Sequence, residues 1–341
     1  MVKIGVLGAG FMGSTHARAL AAIDDVEIVG IYGQSEKRAK PLAEELGTTW
    51  TTDLEKLIDD PSVDGIDICL PGPQHREVTE LVIKAGKHVL LEKPITLLIE
   101  DADALVDLAQ STDRIFMVAH VLRFWPEYVE LQKLATSGTY GRPIQGLAYR
   151  RQPFPAWSSL FGQSELTGGA VVDMMIHDYD ALNWVFGEPK SVVARGTRNP
   201  KSGGYDQVQV MIDYGDAWAQ VDGGMMMPES YPFTSSLQVL CETGAVEYNF
   251  QAGGRSVEMG AGRNELKLFP NEGDPCVVTA EQADPYAAEV AYWVDCIRTG
   301  QAATRATPAD ARTALKVALA ARRSLDNDGL VAEPVSAAPT S

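Results

Sequence analysis

Apolar and polar residues alternate in two distinct ways along the chain. Up to about Ala119, short apolar runs of strand length are separated by longer segments in which apolar residues recur at helical spacing. The runs predict strands at Val2–Leu7, Val26–Tyr32, Gly65–Leu70, His88–Glu92 and Ile115–Ala119. The segments between them predict helices at Phe11–Ile23, Glu36–Leu46, Gln74–Ala85 and Ile99–Ser111, with a shorter helix at Asp53–Ile58. This succession is typical of βαβ units around a parallel sheet.

The pattern changes in the second part of the chain. A predicted helix at Glu127–Ser137 and a predicted strand at Ile144–Arg151 precede a loop rich in aromatic residues and proline. A single helix that carries both Asp173 and His177 is predicted to follow. Over residues 191–269, strand patterns follow one another without helices, and apolar and polar residues alternate as in a sheet with one buried face.

The length of the chain favours two domains. At 341 residues it is too long for one ordinary hydrophobic core. Two further helices are predicted near its end, at Tyr286–Arg298 and from Thr307 onwards. We predict an N-terminal domain at residues 1–121, a C-terminal domain at residues 122–329, and a loose tail at residues 330–341 that is rich in Ala, Pro and Ser.

The overall charge narrows the range of partners. A formal net charge of −17 repels phosphate backbones and anionic lipids, so nucleic acid and membranes are poor candidates and a small neutral polar substrate fits better. No apolar run approaches the roughly 20 residues of a membrane helix, and the N-terminus lacks signal-peptide features, so we expect a cytoplasmic protein. The four cysteines have no zinc-binding spacing, so we expect no metal site.

A glycine-rich turn follows the first predicted strand. In Gly8-x-Gly10-x-x-Gly13 the first glycine permits a tight turn, the second lets the backbone approach a pyrophosphate, and the third lets the helix pack on the strand. The helix N-terminus then faces the phosphates. We therefore interpret this turn, with Phe11 and Met12, as a dinucleotide-binding loop.

The residues after the second predicted strand bear on the choice of cofactor. Domains that bind NAD usually place an acid about 20 residues beyond the glycines, where it binds the ribose 2′-hydroxyl. Here Gly33 occupies that place, and Gln34, Ser35 and the segment Glu36-Lys37-Arg38 follow. Small polar residues with two cations suit a 2′-phosphate. We predict a preference for NADP(H), with Arg38 as the phosphate partner and NAD(H) as the alternative; the competing interpretation is a solvated helix face.

The segment Glu92-Lys93-Pro94 directly follows a predicted strand. It therefore lies at the carboxyl edge of a parallel sheet, where open α/β sheets bind their ligands. Pro94 disfavours the helical conformation for Lys93 and should hold it extended. We predict that Lys93 is a catalytic residue that also contacts the cofactor, and that Glu92 contacts the cofactor. The alternative is that Lys93 pairs with Glu92 only for stability.

Asp173 and His177 lie four residues apart in an apolar segment that follows Gly168-Gly169. On one helix this spacing places both side chains on the same face, one turn apart. The acid can orient the imidazole or raise its basicity. Oxidation of a secondary alcohol requires removal of the hydroxyl proton, which a histidine with a pKa near neutrality can accept. Both are therefore candidate catalytic and substrate-binding residues.

Other candidates have weaker support. Pro71 and His75 follow the third predicted strand and are expected to contact the cofactor, although helix capping is an equal alternative for His75. His120, just past the last strand of the first domain, is a candidate substrate contact. We assign Trp157 to the substrate and Tyr286 to the cofactor, although aromatic residues in such places more often belong to the core.

Together these motifs resemble those of the glucose-fructose oxidoreductase, inositol dehydrogenase and rhizopine-catabolism (Gfo/Idh/MocA) family of NAD(P)-dependent oxidoreductases. The matching points are Gly8-x-Gly10-x-x-Gly13, Ala85-Gly86-Lys87-His88-Val89 leading to Glu92-Lys93-Pro94, and Gly168-Gly169 with Asp173-x-x-x-His177. The resemblance implies an α/β protein in which a Rossmann domain, a doubly wound parallel sheet, is joined to an α/β domain with a large, mostly antiparallel, open-faced sheet. It also implies a homodimer or homotetramer.

The resemblance further implies roles for the site residues. Lys93 would bind the reacting hydroxyl or its ribose neighbour, His177 would act as general acid or base, and Asp173 would bind substrate and orient the site. The expected function is hydride transfer between nicotinamide and a secondary alcohol or ketone of a sugar, cyclitol or related polyol. The missing acid at Gly33 looks more like the family's NADP-using sugar reductases. Alternatives are an NAD-dependent glycosidase without net redox change and a non-catalytic nucleotide-sensing protein.

Overall fold

Residues 1–155, 159–252 and 262–334 are described in the computed structural model of the chain. They form two units, each of which is discontinuous in sequence. The first comprises Met1–Phe124 and Ala283–Arg312, and the second comprises Trp125–Gln282 and the described part of Thr313–Ser341. Within the described ranges, no helix combines the length and the hydropathy that a membrane span requires.

The first unit contains a six-stranded sheet in which every strand pair is parallel. Its strands are β1 (Val2–Leu7), β2 (Val26–Tyr32), β3 (Thr49–Thr51), β4 (Gly65–Ile68), β5 (His88–Glu92) and β6 (Phe116–Ala119). The spatial order β3-β2-β1-β4-β5-β6 is that of a Rossmann fold, and its direction reverses between β1 and β4. Ligands of such sheets bind at that reversal, beyond the carboxyl ends of the strands.

Helices cover this sheet. Those of the first unit are α1 (Phe11–Ala21), α2 (Glu36–Leu46), α3 (Glu55–Ile58), α4 (His75–Lys84), α5 (Ile99–Gln110) and α10 (Pro285–Thr299). All four residues of β4 and of β6 are buried, as expected for parallel strands packed on both faces. The predicted parallel βαβ sheet is confirmed, and β3 is an addition, because a three-residue strand of sequence Thr-Trp-Thr has no apolar run.

Residues 283–312 belong to the first unit, whereas the sequence prediction placed them in a continuous domain over 122–329. The reason is packing on the parallel sheet. The ring of Trp293 on α10 is fully buried and lies so close to Gly65 that a Cβ atom there would come within 3.0 Å of it. In addition, the backbone N–H of Val118 donates to the carbonyl of Ala306 at 3.1 Å.

The second unit contains an eight-stranded sheet of order β14-β13-β12-β11-β7-β10-β9-β8. Its strands are β7 (Pro143–Pro153), β8 (Ser191–Arg198), β9 (Tyr205–Asp213), β10 (Trp218–Met227), β11 (Thr234–Cys241), β12 (Gly244–Gln251), β13 (Arg263–Pro270) and β14 (Cys276–Val278). Only the β7–β10 pair is parallel among the pairs of this sheet that the structure describes. The predicted large, mostly antiparallel sheet is confirmed.

The two faces of this sheet differ. The helices of the unit are α6 (Pro126–Thr136), α7 (Ser164–Thr167), α8 (Ala170–Asp173), α9 (Ile176–Phe186) and most of α11 (Pro308–Asp326). On one face, α9 packs so closely that a Cβ atom on Gly146 would come within 2.6 Å of Leu182. On strands β9 and β10, Met211 and Trp218 are exposed. Assembly into a homodimer or homotetramer stays a prediction.

The predicted loose tail is only partly described. Ala332 exchanges two backbone hydrogen bonds with Val192 at the edge of the second sheet, of 2.8 and 2.9 Å. The expectation of a loose segment therefore does not hold at this residue. Residues 335–341 lie outside the described part of the chain.

Candidate active site

The glycine-rich turn has the backbone geometry that a dinucleotide-binding loop requires. Gly8 has φ of 134°, and a Cβ atom there would lie 2.3 Å from the carbonyl oxygen of Cys69. A Cβ atom on Gly13 would lie 2.0 Å from the carbonyl oxygen of Gly8. Gly10, by contrast, is exposed, and a Cβ atom there would meet nothing within 4 Å. The first and third glycines are therefore needed for the fold, while the second leaves the backbone open to a phosphate, which fits the cofactor.

The end of β2 leaves little room for an acid at the predicted ribose position. Gly33 is buried, and a Cβ atom on it would lie 3.0 Å from that of Ala39 in α2. Gln34, Ser35 and Arg38 are exposed around the N-terminus of this helix, and the carbonyl of Ser35 accepts from the backbone N–H of Arg38 at 3.0 Å. This end of the helix thus offers donors and a cation.

Lys93 lies at the carboxyl end of β5. Over residues 89–96, all of which the structure describes, it alone is partly exposed, and its neighbours Glu92 and Pro94 are buried. The carboxylate of Glu92 accepts from the backbone N–H of Lys93 at 2.9 Å. The lysine side chain is therefore the part of this turn that reaches solvent.

The side chain of His75 contacts the backbone of the turn that carries Lys93. Its Nδ1 lies 2.8 Å from the carbonyl oxygen of Pro94, and its Nε2 lies 2.7 Å from that of Leu70. Burial lowers the pKa of His75, against the effect of the two carbonyl acceptors. Because the ring is 1% exposed and both nitrogens face the backbone, its contacts are structural, and the predicted contact with the cofactor stays a prediction.

The sequence analysis missed a buried polar cluster beneath the glycine-rich turn. It consists of His16 on α1, Asp67 on β4, Glu92 on β5 and Glu289 on α10, with Cys69 beside it. His16 Nδ1 lies 3.2 Å from each oxygen of Asp67, and its Nε2 lies 3.4 Å from Glu92 and 3.8 Å from Glu289. The available signals were a histidine on an apolar helix and an acid inside a buried strand.

Opposing effects act on the titration of this cluster. Burial works to lower the pKa of His16, but the charge of Asp67 and the hydrogen bonds with Asp67 and Cys69 raise it well above the usual value. Burial raises the pKa of Glu289 well above its usual range, and also raises that of Glu92. The atoms of His16, Asp67 and Cys69 that could bind a metal ion lie within 4.8 Å of one another. Hydrogen bonds of 3.2 to 3.6 Å among these residues already account for their proximity.

The spacing argument assumed that Asp173 and His177 lie on one helix, but they lie on two. Asp173 is the last residue of α8, and His177 is the second residue of α9. The backbone N–H groups of Met174 and Met175 both donate to the carbonyl of Ala170, at 3.2 and 2.9 Å, which interrupts the helix.

The two candidates are the accessible residues of this segment. Of residues 167–183, all within the described part of the chain, Asp173 and His177 alone are partly exposed. The preceding glycines have φ of 81° and 70°, and a Cβ atom on Gly168 would lie 2.5 Å from Val172. The glycine pair is therefore explained by its own backbone conformation.

A buried ion pair fixes the start of α9. The guanidinium of Arg150 on β7 donates to both oxygens of Asp178, at 2.8 and 3.0 Å, and both residues are buried. Because Asp178 directly follows His177, this bidentate pair holds the helix turn that carries the histidine. On β9, the carboxylate of Asp206 accepts from the backbone N–H of Ala170 at 3.0 Å and so holds the start of α8.

The remaining predicted residues are distributed among different environments. Phe11 is exposed, and Met12, Pro71 and Tyr286 are partly exposed. His120 is buried directly after β6. Trp157 lies outside the described residues. Lys93 belongs to the first unit and Asp173 and His177 to the second.

Comparison with known proteins agrees with the fold of the two units. A family model described as an oxidoreductase family with an NAD-binding Rossmann fold matches residues 2–120, and the GFO/IDH/MocA C-terminal domain matches residues 128–247. The chain belongs to the Gfo/Idh/MocA family. The sequence analysis predicted that this Gfo/Idh/MocA protein is an oxidoreductase and that it uses a nicotinamide cofactor. Both predictions are confirmed.

Relatives of this Gfo/Idh/MocA protein include two inositol dehydrogenases. Myo-inositol 2-dehydrogenase from Thermotoga maritima is 32% identical over 188 residues, which are 55% of each chain. Scyllo-inositol 2-dehydrogenase (NAD(+)) from Bacillus subtilis is 26% identical, over 96% of this chain and 94% of its own length. A crystal structure of a probable dehydrogenase from Thermotoga maritima has 25% identity and a TM-score of 0.80, over 98% of this chain and 99% of that one.

Proposed function

We propose that this protein transfers a hydride between the nicotinamide of NAD(P) and a secondary alcohol or ketone of a sugar, a cyclitol or a related polyol. One observation carries the proposal: Lys93 is the single partly exposed residue of a buried turn, at the carboxyl edge of the sheet that bears the glycine loop. The names of two relatives, both inositol dehydrogenases, support the substrate class.

In this proposal the cofactor supplies or accepts the hydride, and the protein orients the substrate and moves the proton. Lys93 donates a charged hydrogen bond to the oxygen of the reacting carbon. His177 accepts the hydroxyl proton during oxidation and returns it during reduction, and Asp173 binds a substrate hydroxyl. The exposed backbone of Gly10 and the N-terminus of α1 bind the pyrophosphate.

A substrate panel tests the proposed reaction. Polyols, cyclitols and aldoses are incubated with purified protein and NADP⁺ or NAD⁺, and keto-sugars with the reduced cofactors, while absorbance at the nicotinamide band is followed. We expect stoichiometric formation or loss of reduced cofactor with at least one compound. Release of a sugar from a glycoside with no net change in absorbance would instead support the glycosidase alternative.

We also propose that NADP(H) is the preferred cofactor. Gly33 is packed against α2, so this position cannot supply the acid that binds a ribose 2′-hydroxyl without a shift of the helix. The exposed side chains of Gln34, Ser35 and Arg38 at the start of α2 provide donors for a 2′-phosphate instead.

Replacement of Arg38 by alanine is expected to lower kcat/KM for NADP⁺ about 10- to 100-fold, since a hydrogen bond to a charged group contributes about 1.5–3 kcal/mol. The value for NAD⁺ should stay nearly unchanged, because NAD⁺ has no 2′-phosphate. Lys40→Ala is the matched control: it removes a cation of the same helix that pairs with Glu36 at 3.0 Å. Equal losses with both cofactors in Arg38→Ala would contradict the assignment.

A further inference from the structure

We propose that His16 is a positioning residue for Lys93, acting through Glu92 from the buried cluster beneath the glycine-rich turn. The inference rests on the proposed function, because it requires that Lys93 acts on the substrate. All the residues involved belong to the first unit, and their contacts form one continuous path.

The path runs through the two oxygens of one carboxylate. Glu92 Oε2 accepts from the backbone N–H of Lys93 at 2.9 Å, and Glu92 Oε1 lies 3.4 Å from His16 Nε2. The second contact is an ion pair, since His16 Nε2 has no hydrogen-bond partner among the described residues, and the attraction of opposite charges at a buried site holds this oxygen in place. His16 therefore fixes the backbone at the residue where β5 ends, and so the direction in which the lysine side chain leaves the sheet.

The imidazole is itself held from its other side. His16 Nδ1 lies 3.2 Å from each oxygen of Asp67, and the thiol of Cys69 donates to Asp67 at 3.5 Å. Carboxylates accept hydrogen bonds and do not donate them, so a neutral ring would turn one lone pair towards a carboxylate. The geometry favours the imidazolium, whose Nδ1 donates to Asp67 and whose positive charge attracts Glu92 on the Nε2 side.

Glu289 completes the charge balance without taking part in the path. Its side chain is fully buried, and its nearer oxygen lies 3.8 Å from His16 Nε2, farther than that of Glu92. Three ionised carboxylates around one imidazolium would leave excess buried charge, which is costly. Burial raises the pKa of Glu289 well above its usual range and so favours its neutral form. Burial also raises the pKa of Glu92, but there the charges of both His16 and Lys93 oppose the rise and favour the carboxylate.

Stability alone is a weak explanation for this cluster. Charged groups in a protein interior often cost as much in desolvation as they return in mutual attraction, and apolar replacements of similar volume can be neutral or stabilising. His16 lies on α1 among buried apolar residues such as Ala17 and Leu20, where an apolar side chain would be expected. Because a charged side chain at such a position is costly, we infer that it has a role other than stability, and the contact with Glu92 indicates which role.

Two variants of His16 separate the two sides of the ring. In His16→Gln the side-chain amide can take the place of Nε2 and keep the contact with Glu92, whereas in His16→Asn it reaches only the place of Nδ1, beside Asp67. We expect His16→Asn to lower kcat about 10- to 100-fold, the cost of a misplaced catalytic group, and His16→Gln to lower it about threefold or less. Thermal midpoints and cofactor dissociation constants, measured by fluorescence, should differ little between the two variants.

A double variant shows whether His16 acts through Lys93. Adding His16→Asn to Lys93→Met should cause no further loss of kcat, because the group that His16 positions is already gone. The same factor of loss in both backgrounds would overturn the proposal. If the single variant Lys93→Met keeps wild-type kcat, the proposed role of Lys93 fails. If Lys93→Met loses kcat but His16→Asn keeps the wild-type value, the positioning role of His16 fails and the proposed function stands.

Two further variants keep the test decisive. Glu92→Gln breaks the contact from the other side, by presenting an amide N–H to His16, and should reproduce the loss of kcat even if His16→Asn does not fold. Wild-type kcat in a folded Glu92→Gln variant would overturn the proposal. Glu289→Gln keeps the shape of a side chain that lies outside the path and should leave kcat unchanged. A loss as large as that of His16→Asn would show that Glu92 does not carry the effect.

Discussion

Replacement of Lys93 by methionine is expected to lower kcat about 10³-fold, in the range found when a charged donor or a proton-transferring group is removed from an active site. Methionine keeps a long, unbranched side chain but removes the ammonium group. Glu92 and Pro94 are buried on either side, so no neighbouring side chain of the turn can take over the contact with the substrate oxygen. Steady-state kcat with the best substrate of the panel measures the effect, and fluorescence titration checks that the cofactor still binds.

Lys87→Met is the matched control for this experiment. Lys87 directly precedes β5, at the opposite end of the strand from Lys93, and its Nζ donates to the carbonyls of Asp60 and Val63 at 2.8 and 2.7 Å. Its loss leaves two carbonyl groups without a charged donor and should lower the thermal midpoint, with little change in the kcat of the folded enzyme. Wild-type kcat in Lys93→Met, or an equal loss of kcat in Lys87→Met, would contradict the role proposed for Lys93.

The first unit was largely predictable from its sequence because parallel strands are buried on both faces. Such strands appear as continuous apolar runs, and β5 has the bounds that the run predicts. The glycine motif was also informative, since Gly8 and Gly13 are each required by a contact shorter than a Cβ atom permits. These signals are local, and each can be recognised in a few consecutive residues.

The buried cluster was not predictable because its members are distant in sequence. His16 and Asp67 are 51 residues apart, and Glu289 is brought to them only by the return of α10 to the first unit. No spacing rule connects such residues. Their meeting follows from the strand order, which places β1 beside β4 and β4 beside β5.

The break between Asp173 and His177 was not predictable for a different reason. The spacing of four residues is compatible with one helix, and both methionines between them are acceptable in a helix. Within the second unit, Met175 packs closely against strand β10: a Cβ atom on Gly223 would lie 2.5 Å from the side chain of Met175. The pairing of a glycine with that methionine is a tertiary feature that periodicity does not contain.

Replacement of His177 by asparagine is expected to lower kcat for alcohol oxidation about 10³-fold and to change its pH dependence. A general base must be neutral to accept the hydroxyl proton. The wild-type rate should therefore fall as the pH is lowered and the histidine becomes protonated. The variant should lose this decline, because asparagine does not titrate. Profiles of kcat/KM between about pH 5 and 9 measure both effects.

His88→Asn separates this effect from the loss of any histidine. The Nδ1 atom of His88 accepts from the backbone N–H of Ile115 at 2.8 Å, and the side-chain oxygen of asparagine can accept the same bond. This variant should keep both the rate and the decline towards low pH, since the ring serves the backbone of the parallel sheet. If His177→Asn keeps the low-pH decline while losing rate, the titrating base is another group and His177 only binds the substrate. If it keeps the rate as well, His177 has no part in the chemistry.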